Sequence, residues 1–333
     1  MRRAARAIVL GTAAALAALT VPAAYGEGYP ERPIRIIAAE PGAQSDSMAR
    51  ALAPVLGETL GQAIVVENRP GAGGTISALR AVQSRADGYT LLIGGVNNMV
   101  LGPLLRRDLP YTPTRDLVPL GGIARVPYGL AVAKHVAAAD LRELVAYARA
   151  HPGMLAFGSS GVGSSSHLAI ALVGARAGLS MLHVPFRGSP VALNELVSGR
   201  IDLLACDLAL LLPHAKSGAV RLIAVAGPRR ADAAPAVPTV AEQGFPGYAV
   251  DPWYALYARS GTPQAALDVA ARALADAMSE PRIRQQLAAQ GHEPFPLTAD
   301  AVRELMRADT LRFEAALAGI DLRDGPAQRT PTP

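Results

Sequence analysis

From residue 34 onward, short apolar runs alternate with stretches whose apolar residues recur at helical spacing. Residues 34–39 have strand length, and 46–60 follow with Ala49, Leu52 and Leu56 on one face. Strand-like 64–67, helix-like 75–84 and strand-like 89–93 continue the rhythm. It resumes with strands at 130–133, 155–158, 182–185, 202–206 and 220–226. Helices at 141–150, 167–177, 189–198 and 209–217 separate them. Pro190 at a first helical position and Gly199 past the end bracket the third of these. After Gly227, prolines at 228, 235, 238, 246 and 252 punctuate a loop-rich stretch. A strand at 253–257 and helices at 264–278 and 299–317 close the series. Such alternation predicts an α/β fold with mainly parallel sheets flanked by helices. Pro54 falls inside the first helix and predicts a kink. No fixed-period repeat occurs.

The elements fall into two sets, divided near Arg125 with a return near Ala226. At 333 residues the chain suits two lobes. The expected organisation is lobe 1 from 27–125 plus 226–323, lobe 2 from 126–225, and a disordered polar tail at 324–333. Residues 1–26 have the layout of a cleaved signal peptide. Arg2, Arg3 and Arg6 precede an apolar stretch and the small-residue segment Pro22-Ala23-Ala24-Tyr25-Gly26, with cleavage after Ala24 or Gly26. Export to the periplasm follows.

Charge and cysteine content narrow the functions. Residues 1–26 hold three of the 32 basic residues and no acid, which leaves 29 basic against 27 acidic, a net of +2. That is too mild for a nucleic-acid surface. Cys206 is alone, so no internal disulfide or cysteine metal pair can form; in its apolar run it reads as a small buried residue. No cofactor motif is present. Metal signatures and G-x-S-x-G are also missing, since Val162 stands where the second Gly is needed.

Two loops could hold a ligand. Glu40-Pro41-Gly42-Ala43-Gln44-Ser45-Asp46 follows a strand and opens a helix, where unpaired N–H groups favour anions. Gly158 to His167 does the same and crowds five serines and three glycines before the histidine. An ordinary turn or a flexible linker would read similarly. Asn68 to Gly74 needs glycine dihedrals but lacks a P-loop ending. Arg187, after 182–185, could pair with an anion. His167 and His183 have no partner motif and read as structural.

Several motifs together resemble the Bug-type extracytoplasmic solute receptors of tripartite tricarboxylate transporters. They are Tyr29-Pro30-Glu31-Arg32-Pro33, Pro41-Gly42 with Asp46, Val65 to Gly74, Asp87-Gly88-Tyr89-Thr90, the Ser/Gly loop ending His167-Leu168, His183 to Gly188, Pro238 to Glu242, and Trp253 with Gly261-Thr262-Pro263. The resemblance implies a two-lobed periplasmic-binding-protein fold of type II-like form with a ligand cleft between the lobes. It implies a monomer that binds a small organic acid, a di- or tricarboxylate or an amino acid, and delivers it to two integral-membrane permease subunits. Gly42, Ala43, Ser159, Ser160, Gly163, Ser164, Ser165 and Asp207 are the implied contacts. Gln44, Asp46, Asn97, His167 and Arg187 complete the candidate set. The chain departs from the family at Ala38-Ala39-Glu40, which replaces an aromatic-and-proline lead, and at Ala43, which replaces a glycine. Glu40 would then repel a ligand carboxylate unless it points away. Two other readings are a secreted hydrolase using a serine from 159–166 and a ligand-binding partner of a sensor kinase.

Overall fold

The computed structural model describes residues 28–106 and 108–318. The expected signal peptide and the polar tail lie outside the described residues. Eleven strands are described: β1 Ile34–Ala38, β2 Ile64–Asn68, β3 Thr90–Gly95, β4 Leu117–Arg125, β5 Tyr128–Ala133, β6 Ala156–Ser159, β7 Leu182–Pro185, β8 Leu203–Asp207, β9 Val220–Val225, β10 Trp253–Arg259 and β11 Glu293–Pro294. The helices are α1 Gln44–Leu60, α2 Thr75–Val82, α3 Gly102–Leu105, α4 Pro113–Asp116, α5 Leu141–Ala150, α6 Ser165–Ala177, α7 Ser189–Val197, α8 Leu208–Lys216, α9 Gln264–Ser279, α10 Pro281–Ala289 and α11 Ala299–Leu317.

The strands form two sheets, ordered β11-β4-β10-β3-β1-β2 and β7-β6-β8-β5-β9. The fold is therefore the two-lobed α/β arrangement, one sheet to a lobe. β1 to β3 pair in parallel, as do β6, β7 and β8. The reversals are local: β10 runs against β3 and β4, and β5 against β8 and β9. β5 and β10 each follow a crossing between sheets with no α-helix to return the chain in parallel, and β11, after α10, also runs against β4. The crossings touch, since Val126 N–H donates to Pro252 O at 2.8 Å.

Residues 226–250, grouped above with lobe 1, make their bonds to the second sheet instead. Val240 N–H donates to Val225 O and Gln243 Nε2 to Ile223 O, both on β9, and Tyr248 Oη to Ala169 O on α6. The proline-rich composition hid this packing, because it carries no periodicity. α1 shows how position follows from sequence. Met48, Leu52 and Leu56 are buried in the same core as the β1 residues Ile34 and Ile36. Gly61, at φ 64°, ends the helix in the left-handed region. The helix runs through Pro54, which is exposed, so the carbonyl it leaves unpaired can be solvated.

Candidate functional site

The first loop is held by its own helix. Asp46 Oδ2 accepts Gly42 N–H at 2.8 Å, and Oδ1 accepts from Asn68 Nδ2 and pairs with Arg50, both at 2.9 Å. Burial pushes the carboxyl up, but Arg50, Gly42 and Asn68 outweigh it and hold Asp46 below its ordinary value. Asp46 thus braces the loop. Ser45 Oγ accepts Ala39 N–H at 3.0 Å. Glu40 turns away, its Oε1 accepting Gly71 N–H at 3.0 Å in the glycine turn of residues 71–74. Ala43 is the N-cap of α1 and no side chain caps the helix, which leaves its first turn of N–H donors open.

The second loop is a hydroxyl network. Ser164 caps α6 by accepting His167 N–H and donates to Gly161 O at 2.7 Å. Ser166 Oγ accepts Ser160 N–H at 2.8 Å and lies 2.9 Å from both the Ser160 and Ser164 hydroxyls. His167 Nδ1 accepts Gly163 N–H at 3.2 Å. The His167 ring stacks on His183 with centroids 3.7 Å apart. Burial, and for His167 the charge of its neighbour, push the two imidazoles down to about 3 and about 4, so both are neutral at pH 7. His183 Nε2 lies 2.6 Å from Ser159 Oγ, but no group among the described residues hydrogen-bonds its buried Nδ1, and Ser159 is fully buried.

The two lobes meet through these loops. Gln44 Nε2 donates to Asp207 Oδ2 at the end of β8. Asn97, just past β3, accepts both the N–H and the hydroxyl of Ser165 at 2.9 and 2.6 Å. Asp207 is also the N-cap of α8, again with no side-chain cap. Burial raises its carboxyl to about 6, partly countered by Gln44. Gln44 and Asn97, from loops of the first sheet, therefore touch Asp207 and Ser165 at the ends of elements of the second. Ser159, Ser164, His167 and Asp46 stand behind them as supports. Arg187 is exposed and pairs with no carboxylate among the described residues. Sequence reading missed Tyr254, half-buried between Glu40 and Asp207, whose charges help burial raise its phenol. It also missed the contact of Ser47 Oγ with His292 Nε2 at 3.0 Å. Neither carries a motif; only the closure of the fold brings them in.

Because Asn97 bonds across the lobes, Asn97→Ala is expected to favour a more open arrangement. Two lost hydrogen bonds are worth about 1–3 kcal/mol, or roughly 5- to 150-fold in the closed population. Small-angle scattering should report a larger radius of gyration; an unchanged radius would show that Asn97 is no latch.

Two α/β lobes that turn open helix starts toward each other define a two-lobed solute-binding protein. The model of the TctC family, described as "Tripartite tricarboxylate transporter family receptor", matches residues 48–322. The chain belongs to this family. It is 34% identical over 307 residues to "Protein BugT" of Bordetella pertussis, covering 92% of this chain and 94% of that protein. It is 33% identical over 309 residues to a UPF0065 protein of Bordetella bronchiseptica, covering 92% and 91%. Among solved structures, R. palustris Rpa4515 with adipate superposes with a TM-score of 0.81 at 31% identity, over 87% of this chain and 97% of that one. MatC from Rhodopseudomonas palustris with bound malate gives 0.80 at 29%, over 87% and 100%.

Proposed function

We propose that this receptor is exported to the periplasm, closes on a small carboxylate, and hands it to two membrane subunits of its transporter. The observation that carries the reading is the convergence of two uncapped helix starts, α1 and α8, from different sheets, tied by Gln44 and Asp207. α1 offers unpaired N–H groups from its first turn, and at α8, where Leu208 N–H donates to Pro127 O, the open donors begin at Ala209; facing starts can hold a small acid without a fixed cation. The bound adipate and malate of the similar structures support the ligand class. In this reading the lobes are 28–125 plus 251–318 and 126–250. Gly42, Ala43, Gln44, Ser160, Gly163 and Asp207 face the ligand. Asn97 and Ser165 latch the closed form.

The reading also makes the protein a binder that turns nothing over. Ser159 and His183 are close enough for a nucleophile and base, but Ser159 is sealed and no carboxylate orients His183. Thermal unfolding with a panel of C4 to C6 dicarboxylates, citrate and acidic amino acids is the test. A ligand at 100 times its Kd is expected to add about 2.7 kcal/mol of stability, with no product formed. No stabilisation by any small acid, or steady hydrolysis of esters, would sink it.

A further inference from the structure

The cations of the molecule are unevenly matched. Residues 28–125 and 251–318 carry seventeen Lys and Arg against seventeen Asp and Glu, whereas 126–250 carry ten against seven. Of those ten, only Arg200, Arg229 and Arg230 form ion pairs among the described residues. Three of the unmatched ones line a single groove of about 600 Å³, between α5, the end of α6 and the turn at 243–246. These are Arg142, Arg149 and Arg176, over a floor that includes Val145 and the buried Phe245.

Helix electrostatics explain only part of this. Arg149 and Arg176 lie in the last turns of α5 and α6, where a cation is favourable. They donate to Ala177 O and Pro246 O, which fixes their heads without neutralising them. Arg142 sits in the first turn of α5, where the helix dipole opposes a cation. The nearby acids are engaged elsewhere: Asp140 accepts Glu143 N–H and Glu143 accepts Ala139 N–H. The groove thus gathers three guanidiniums without a carboxylate partner among the described residues, two of them held by carbonyls, around an apolar floor, and forked guanidiniums suit carboxylates.

We propose that this groove is the docking site for an acidic, apolar-anchored segment of the transporter's membrane subunits. The proposal rests on the receptor reading above. A protein segment fits better than a lipid surface. The site is concave, and no exposed large apolar side chain lines it to enter a bilayer.

A photo-crosslinking amino acid at exposed Ala146, in cells that contain the membrane subunits, tests it. The same residue at exposed Ala275 of α9 is the control. The expected result is an adduct at Ala146 identified by mass spectrometry as a membrane subunit. Its yield should fall at least tenfold in R142E/R149E/R176E and several-fold in Arg142→Glu alone, which guards against misfolding of the triple variant. Ligand-induced thermal shifts should stay as in the parent. An adduct to phospholipid alone, an equal adduct from Ala275, or a yield indifferent to Arg142→Glu would overturn the docking site. Loss of the ligand shift in the parent itself would instead overturn the receptor reading.

Discussion

Lowering the pH from about 6 to about 4 is expected to cost the folded protein about 3 kcal/mol. Three buried imidazoles set the sign. His167 is held down to about 3, and His183 and His292 to about 4, each chiefly by burial. Unfolded, all three take protons below about 6.5, so acid favours the unfolded chain. Two carboxyls oppose them. Burial raises Asp207 and Asp251 to about 6, the latter against the pull of Arg125. Each binds a proton in the folded state that the unfolded chain takes up only near 3.9, so their share of stability grows as the pH falls through 6. Glu293 is raised too, but it is only partly buried and its share is small. Among these five groups the balance is three protons against two, a net slope of about 1.4 kcal/mol per pH unit, and Asp46 and Glu67, held below their ordinary values, act in the same direction as the imidazoles. Asp207→Asn removes one opposing proton and should double that slope. His183→Gln keeps a partner for Ser159 and should bring the slope close to zero. Urea unfolding at half-unit pH steps checks all three, and slopes that match in parent and variants would refute the assignment.

The loops of the site were legible because their signals are local. Glycines, serines and a following apolar helix mark 40–46 and 158–167 whatever surrounds them. The division of labour inside them was not. Asp46 looks like a ligand group on a loop, yet Arg50 and Asn68, one turn and one strand away, claim its Oδ1, and Gly42 N–H claims its Oδ2. The turn that takes Glu40 lies thirty residues downstream. Among elements, β4 went unread. Pro119, Gly121 and Gly122 are poor strand formers, but the glycines admit the backbone of the 295–297 segment, which donates Phe295 N–H to Ile123 O and accepts Gly122 N–H at Leu297 O. α10 has only Ile283 and Leu287 as an apolar face, too little for a period. Tertiary packing made both, and one sequence alone does not display it.

A glycine at the lobe boundary gives the other large effect. Gly291 follows α10 with φ +78°, and a Cβ placed on it would overlap the Cβ of Ala209 in the first turn of α8. Those two residues belong to opposite lobes, so Gly291→Ala drives a wedge into the closed arrangement. Overpacking of this kind costs about 1–3 kcal/mol. Ala209 and Gly291 meet between elements of the two sheets, so the cost is expected to fall on the arrangement that brings them together. The apparent Kd for the carboxylate should therefore rise about 5- to 150-fold. The left-handed backbone adds a separate penalty of about 1–2 kcal/mol to folding, with or without ligand. Ala209→Gly separates the two. It removes the opposing Cβ, so the double variant should regain most of the affinity while keeping the folding penalty. Calorimetric titration reports the first and urea unfolding without ligand the second. Should Gly291→Ala bind as tightly as the parent, closure does not bring α8 against the end of α10. Should Ala209→Gly fail to restore binding, the loss comes from strain within lobe 1 and not from the contact between lobes.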